Sequence, residues 1–338
     1  MSLHISSFFD PRLHAVERVA MHATILVHLP CKGDVKRVHT RRRRTDRRGS
    51  CPLSGTAGVS RGAVHFPAMR WRLLLDGAAS GPRNMAVDET LAEAVAAGAS
   101  PPVVRLYRWA PPCLSLGASQ PFGVADAAFC AAAGVDIVRR PTGGRAVLHH
   151  VEVTYLVAAP LGVAPLGHDL QGVYRRICEA LVVGLRRLGV DASLAGAETG
   201  PPVRPVEAIP CFVGPAAGEV VVGHRKLVGS AMRRVGDAVL QHGAVLLGWD
   251  GRLQAGCLGL ADDTVLRAAV VTLEDVLGVV PSAHAVAEAL AAGFAESLGV
   301  ALERSAMNAD EERRARLLEQ ERYRNQRWTV ARERSLPA

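Results

Sequence analysis

Hydrophobic and polar positions change period several times along this chain, and each change marks an element. Met69-Arg-Trp-Arg-Leu-Leu-Leu-Asp76 reads as a strand that opens a domain. Asn84 to Val95 reads as a helix, with Pro82 near its start and Gly98 at its end. Short strands are predicted over 103–109 and 113–117, parted by a Pro-Pro turn, then a helix over 124–133 stopped by Gly134. Residues 135–138 and 153–159 read as further strands. The clearest helix runs from His168 to Leu188, where Val173, Ile177, Leu181, Leu185 and Leu188 are spaced for one buried face.

A Gly/Pro-rich loop over roughly 195–210 delivers Cys211. Glu219-Val-Val-Val222 and Arg225-Lys-Leu-Val228, joined by Gly223-His224, read as a hairpin, and 238–247 as another strand. Beyond about 262 the pattern turns helical, with helices expected over 272–277, 283–298 and 310–323. This order, with adjacent hairpins rather than strict βαβ alternation, predicts a mixed α/β (α+β) fold: a mixed, largely antiparallel sheet packed with helices. No internal repeat is visible.

Charge redraws the boundaries. The 338 residues carry a formal charge of +8, but of the 40 Lys/Arg and 32 Asp/Glu, residues 1–68 hold 12 and 4. That leaves 28 of each sign for the rest, a neutral body with only 4% aromatic residues. Nucleic-acid binding needs a cationic face and stacking platforms, so no nucleic-acid partner is expected. The leader, residues 1–68, contains Arg41-Arg-Arg-Arg44 and lacks a sustained period. Three readings stay open for it: an upstream extension with Met69 as the natural start, a disordered basic tail, or a transit peptide. The folded body is expected over 69–330 with a helical C-terminal part, and 331–338 as a tail.

No run of 18 or more apolar residues occurs, so no membrane span is expected. Seven cysteines without close pairing or a C-x-x-C do not make a disulfide framework or a thiol-ligated zinc site. A cytoplasmic protein is expected.

Chemistry gathers at three glycine-marked places. Arg139-Arg-Pro-Thr-Gly-Gly-Arg-Ala-Val-Leu-His149 follows a strand. Gly143 and Gly144 let backbone approach a ligand, while Arg139, Arg140 and Arg145 supply cations for an anionic group. A tight turn with solvated arginines explains the same residues. Cys211 and Lys226 stand fifteen positions apart. A thiol beside an ammonium is what an acyl-carrying nucleophile requires, since the thiolate is the reactive form. A small buried apolar residue and a solvated hairpin lysine are the plainer readings. His149 and His150, adjacent on a strand, would point to opposite faces, which disfavours joint metal ligation; no metal is expected.

Arg139 to His149 followed by Glu152-Val-Thr-Tyr155 closely resembles a signature of the lipoate/biotin protein ligase-like family. Gly223-His-Arg-Lys-Leu-Val-Gly-Ser-Ala231 and Leu240-Gln-His-Gly243 resemble its second signature. Asn84-Met-Ala-Val-Asp-Glu89 and Leu114-Ser-Leu-Gly117 extend the likeness over roughly 70–328. Pro210-Cys211-Phe212 is similar to the branch of octanoyltransferases that use a cysteine acyl-enzyme. The resemblance implies that fold, with Cys211 as nucleophile and Lys226 lowering its pKa. It implies a substrate site from Arg139, Arg140, Gly143, Gly144, Arg145, His149, Gly229, Ser230, Ala231 and His242.

The reaction so implied moves octanoyl from acyl carrier protein to a lysine of a lipoyl domain, in glycine-cleavage H protein or a dehydrogenase subunit. It requires no cofactor. The alternatives are an ATP-dependent lipoate ligase binding lipoyl-adenylate through Arg139, Gly143 and Lys226, an amidotransferase between lipoyl domains, or an inactive acyl-domain binding module. Two positions depart from the family pattern: His150 stands where Asp is common, and Met232 where Gln is common.

Overall fold

The computed structural model describes residues 69–196 and 217–333. The leader, the segment 197–216 that contains Cys211, and residues 334–338 lie outside the described residues. Strand β1 (Arg70–Ala79), helix α1 (Gly81–Ala96) and strand β2 (Val103–Trp109) form a parallel crossover unit. Ser80 caps α1 by accepting from the Arg83 N–H, with Pro82 in the first turn, where a missing N–H costs nothing. Strands β6 (Glu152–Pro160), β10 (Val228–Val235) and β11 (Ala238–Leu246) continue the sheet antiparallel, and β12 (Ala301–Arg304) adds a parallel edge. The order is β10-β11-β6-β2-β1-β12, the mixed and largely antiparallel sheet expected.

Helices α3 (Leu170–Arg186) and α7 (Ala283–Leu298) cover one face. On that side Val153, Tyr155, Val157 and Ala159 alternate inward from β6 and meet Val173, Ile177, Leu181 and Leu185 of α3. The other face belongs to α1, joined by helix α8 (Ala309–Leu318), a π-helical turn at Glu319–Tyr323 and a last helix α9 (Gln326–Thr329). With both faces covered, β6 is buried along nearly its whole length, which is why it reads as an apolar run. The α3 and α7 backbones touch at Gly184 and Gly293, where a Cβ on either would overlap the other helix.

A second sheet, β4-β3-β5, packs beside the first, from β3 (Cys113–Leu116), β4 (Asp136–Arg139) and β5 (Val147–His149). It is backed by α2 (Ala127–Ala132) and α4 (Gly251–Cys257). A third, β7-β8-β9, is formed by β7 (Ser193–Leu194), β8 (Val220–Val222) and β9 (Arg225–Lys226), the last two being the expected hairpin. Helices α5 (Thr264–Ala269) and α6 (Leu273–Leu277) complete the chain.

Two differences from the pattern reading have physical causes. The helix expected over 124–133 shrinks to α2, because Phe122–Val124 is a 3-10 turn and Asp126 caps a later start by accepting from the Phe129 N–H. Strand β12 falls inside the stretch read as helical; its pairing with β1, not its four-residue pattern, makes it a strand. No helix among the described residues is long and apolar enough to cross a membrane.

Candidate active site

A pocket opens between the six-stranded sheet and the β4-β3-β5 sheet. Met85, Tyr107, Trp109, Val147 and Ala244 give it an apolar wall. Two buried polar chains fix its remaining surface, each centred on a histidine.

The first starts from Asp88 on α1, wholly withdrawn from solvent. Its carboxylate accepts from Arg105 Nη1 (2.8 Å), the Tyr107 hydroxyl (2.7 Å) and His242 Nδ1 (2.9 Å). Burial lowers the pKa of His242 from its ordinary value, outweighing the hydrogen bond and charge of Asp88 that oppose it, so the ring is neutral near pH 7. With Nδ1–H donated to Asp88, Nε2 is left as acceptor for the Thr142 hydroxyl, 2.7 Å away. Thr142 thereby ties the glycine turn between β4 and β5 to the main sheet.

The second chain runs through His149, which stacks on Trp109 with ring centres 4.0 Å apart and planes 11° off parallel. Its Nδ1 lies 2.6 Å from Glu152 Oε1 and its Nε2 2.8 Å from the Ser115 hydroxyl. The Trp109 indole N–H donates to Thr154, whose hydroxyl donates to the same Glu152 oxygen. Arg140 closes the chain, donating from Nη1 to the Ser115 hydroxyl and carbonyl and from Nη2 to the Gly143 and Arg145 carbonyls. Hydroxyl, imidazole and carboxylate stand in series, an order that fixes the orientation of the ring.

Of the residues singled out from sequence, Arg140, His149, Gly229, Ser230, Ala231 and His242 line this one cavity. Gly143 and Gly144 form the exposed turn beside it, Gly144 with φ of 90°. The turn is pressed against Gly117, where a Cβ would overlap the Gly144 carbonyl oxygen. Arg145, partly buried, gives its carbonyl to Arg140.

Arg139 departs from the expected role. Fully buried, its guanidinium donates to the carbonyls of Gly117, Gln120, Trp328 and Thr329, while its own carbonyl accepts from the Trp328 indole. It joins the C-terminal helix to the loop after β3, and it does not line the cavity. Arg139 ends β4 and Arg140 follows it, and of the two only Arg140 reaches the site.

Lys226 ends β9, two residues ahead of β10. It is 2% exposed, with Nζ 2.7 Å from Glu219 Oε1. Cys211 lies outside the described residues. Cys113, Cys130, Cys178 and Cys257 are buried, and burial raises the thiols of Cys113 and Cys178, the latter to about 12, which suits packing rather than attack. Of the two departures from the family pattern, His150 is half-exposed, 3.8 Å from Asp250, and Met232 packs on the α3-side core. Among the described residues no cluster of His, Cys, Asp or Glu could hold a metal ion.

Asp88, Ser115, Glu152 and Glu219 are site neighbours to which the sequence motifs alone assign no role. The available signal for Asp88 was its register: with Met85 and Ala92 it falls at i, i+3 and i+7 on the apolar stripe of α1, where a carboxylate needs a partner.

This mixed sheet packed with helices is the fold of the lipoate-protein ligase catalytic domains. A lipoate-protein ligase A crystallised with ATP aligns at 26% identity and TM-score 0.65, covering 78% of this chain and all of that one. The bi-partite lipoate protein ligase of Thermoplasma acidophilum aligns at 26% identity and TM-score 0.66, over 80% of this chain and all of that one. The lipoyl protein ligase A/B catalytic domain family matches residues 80–295.

Within that class, the octanoyltransferase LipM of Kyrpidia tusciae is 43% identical over 258 residues, 73% of this chain and 94% of its own length. That of Symbiobacterium thermophilum is 37% identical over 77% of this chain and 98% of its own length. The chain belongs to the LipM octanoyltransferase family.

Proposed function

We propose that this octanoyltransferase takes its acyl group from octanoyl-acyl carrier protein, holds it on Cys211, and delivers it to a lysine of a lipoyl domain such as glycine-cleavage H protein. The Cys211 thiolate attacks the thioester carbonyl carbon; a new C–S bond forms, and the carrier's thiol leaves with the proton that Cys211 gave up. The acceptor amine then attacks the same carbon. A C–N bond forms, the C–S bond breaks, and the amine loses a proton as Cys211 returns to thiolate. Thioester exchange is nearly isoenergetic and amide formation runs downhill, so no nucleotide is consumed.

The observation that carries this reading is the setting of Lys226. An ammonium almost wholly withdrawn from water stands two residues ahead of the strand whose Gly229–Ala231 segment walls the cavity. There it can donate to a thiolate or to the oxygen of an attacked carbonyl. Substrate roles for Arg140, Gly143, Gly144, Arg145, His149, Gly229, Ser230, Ala231 and His242 follow from the cavity and its adjoining turn. The fate of Arg139 favours transferase over ATP-dependent ligase. The cation that a ligase reading would use on an adenylate is taken up by four backbone carbonyls.

The test mixes the protein with octanoyl-carrier protein without ATP and follows intact mass. A covalent octanoyl adduct that Cys211→Ser abolishes is expected. Product formed only from free octanoate with ATP would overturn the reading in favour of a ligase. Octanoylated H protein outperforming carrier protein as donor would turn it into an amidotransferase, and neither adduct nor product would leave a binding module.

A further inference from the structure

Sequence alone gives Glu219 only as the first residue of a hairpin, yet its carboxylate meets Lys226. The hairpin register sets Val221 opposite Lys226 and brings Glu219 Oε1 to 2.7 Å from Nζ. The two side chains are 12% and 3% exposed. An ammonium so far from water is costly unless paired, and an adjacent carboxylate offsets that cost.

Among the described residues, the polar groups of α3 and β6 near the pair stay neutral at neutral pH. Tyr174 and Cys178 from α3 and Tyr155 from β6 lie within the field of Glu219, and burial raises all three. Arg267 of α5 is held by Asp275 and the Val270 carbonyl. Ser230, which accepts from the Tyr155 hydroxyl, links this cluster to the cavity wall.

We propose that Glu219 is a positioning residue for acyl transfer: it fixes Lys226 Nζ and keeps it an ammonium throughout the cycle. Lys226 then acts as a hydrogen-bond donor to the reacting thioester and never as the base that deprotonates the acceptor lysine. This rests on the reading of Lys226 as part of the acyl-transfer machinery. Because the pair carries no net charge, help given to a thiolate comes through direct contact, not through the long-range field of a bare cation.

The experiment measures kcat, KM for octanoyl-carrier protein, and the pH profile of kcat from about pH 6 to 10. It uses the full-length wild type, Glu219→Gln, Glu219→Asp and Lys226→Ala. Glutamine keeps an acceptor oxygen for Nζ but removes the charge, so the cationic form of Lys226 is disfavoured. The alkaline limb should move to lower pH. Near pH 8, kcat should fall roughly 10- to 100-fold, with KM altered much less. Glu219→Asp keeps the charge on a shorter arm; its limb should stay in place while kcat falls.

An unmoved limb and unchanged kcat in Glu219→Gln, with Lys226→Ala inactive, would overturn the inference alone. Activity that instead rises at low pH in Glu219→Gln would make Lys226 a base and overturn it too. A fully active Lys226→Ala would overturn the underlying reading, and the inference with it.

Discussion

Asp88 and Glu89 are consecutive residues of α1 whose carboxylates serve different parts of the molecule. Asp88 accepts from Arg105, Tyr107 and His242 at the cavity, whereas Glu89 takes both oxygens to Arg322 Nη1 (2.9 Å each) and accepts from the Tyr323 hydroxyl (2.6 Å). One helix therefore fixes the site and, one residue further on, the C-terminal segment. Asp88→Asn leaves the buried Arg105 with less compensation and disturbs the His242 ring. It should cost about 3 kcal/mol in urea unfolding and lower octanoyl transfer more than Glu89→Gln does. Equal stability losses with transfer reduced only in Glu89→Gln would contradict this division.

Gly117 and Gly144 touch backbone to backbone, and the contact holds the turn whose Thr142 meets His242. Gly117→Ala forces the turn outward, so a stability loss of roughly 1–3 kcal/mol is expected, with transfer reduced. At Gly143 a Cβ meets open space, and Gly143→Ala should unfold at nearly the wild-type denaturant concentration. Comparing the two urea midpoints checks the asymmetry.

Much of the fold was legible because its elements obey one strong period. Strand β2 and helix α7 coincide with the ranges their patterns predict, and α3 follows its Val173–Ile177–Leu181–Leu185 stripe. Strand β12 was not legible, since a four-residue edge strand with two half-exposed and two exposed residues owes its conformation to its neighbour. The site was legible in its glycine turns and histidines but not in its partnerships. Charge in a sequence says nothing about burial, so Arg139 looked like a ligand cation until its four carbonyl acceptors were visible. Glu219 and Lys226 meet only because a hairpin closes between them.

Arg139 should then behave as a structural residue. Lysine offers one ammonium where the guanidinium spans carbonyls from two segments, so Arg139→Lys should lose about 2–3 kcal/mol of stability. Amide hydrogen exchange should quicken over 117–120 and 326–329, the two segments it joins. Titration with ATP checks the other half: nucleotide affinity in Arg139→Lys should match that of the wild type. A selective loss of nucleotide binding with exchange unchanged would return Arg139 to a ligand role.

His242 makes stability depend on pH in a direction fixed by its burial. The folded ring resists protonation, while the unfolded chain takes up a proton near the ordinary value of 6.5. As pH falls from just above 6.5 toward the lower folded value, the unfolded state therefore binds more protons and stability declines. The slope approaches about 1.4 kcal/mol per pH unit for one proton, and the decline from this group ends below the folded value. In His242→Asn that component disappears, so the curve of unfolding free energy against pH should be flatter than wild type over about pH 5 to 7. The variant's overall loss of packing only shifts the curve downward and leaves the difference in slope readable. Urea unfolding at four or so pH values across that window makes the comparison. Parallel curves would mean that the folded ring takes up its proton as readily as the unfolded chain does, and that the Thr142 hydroxyl does not face a neutral Nε2.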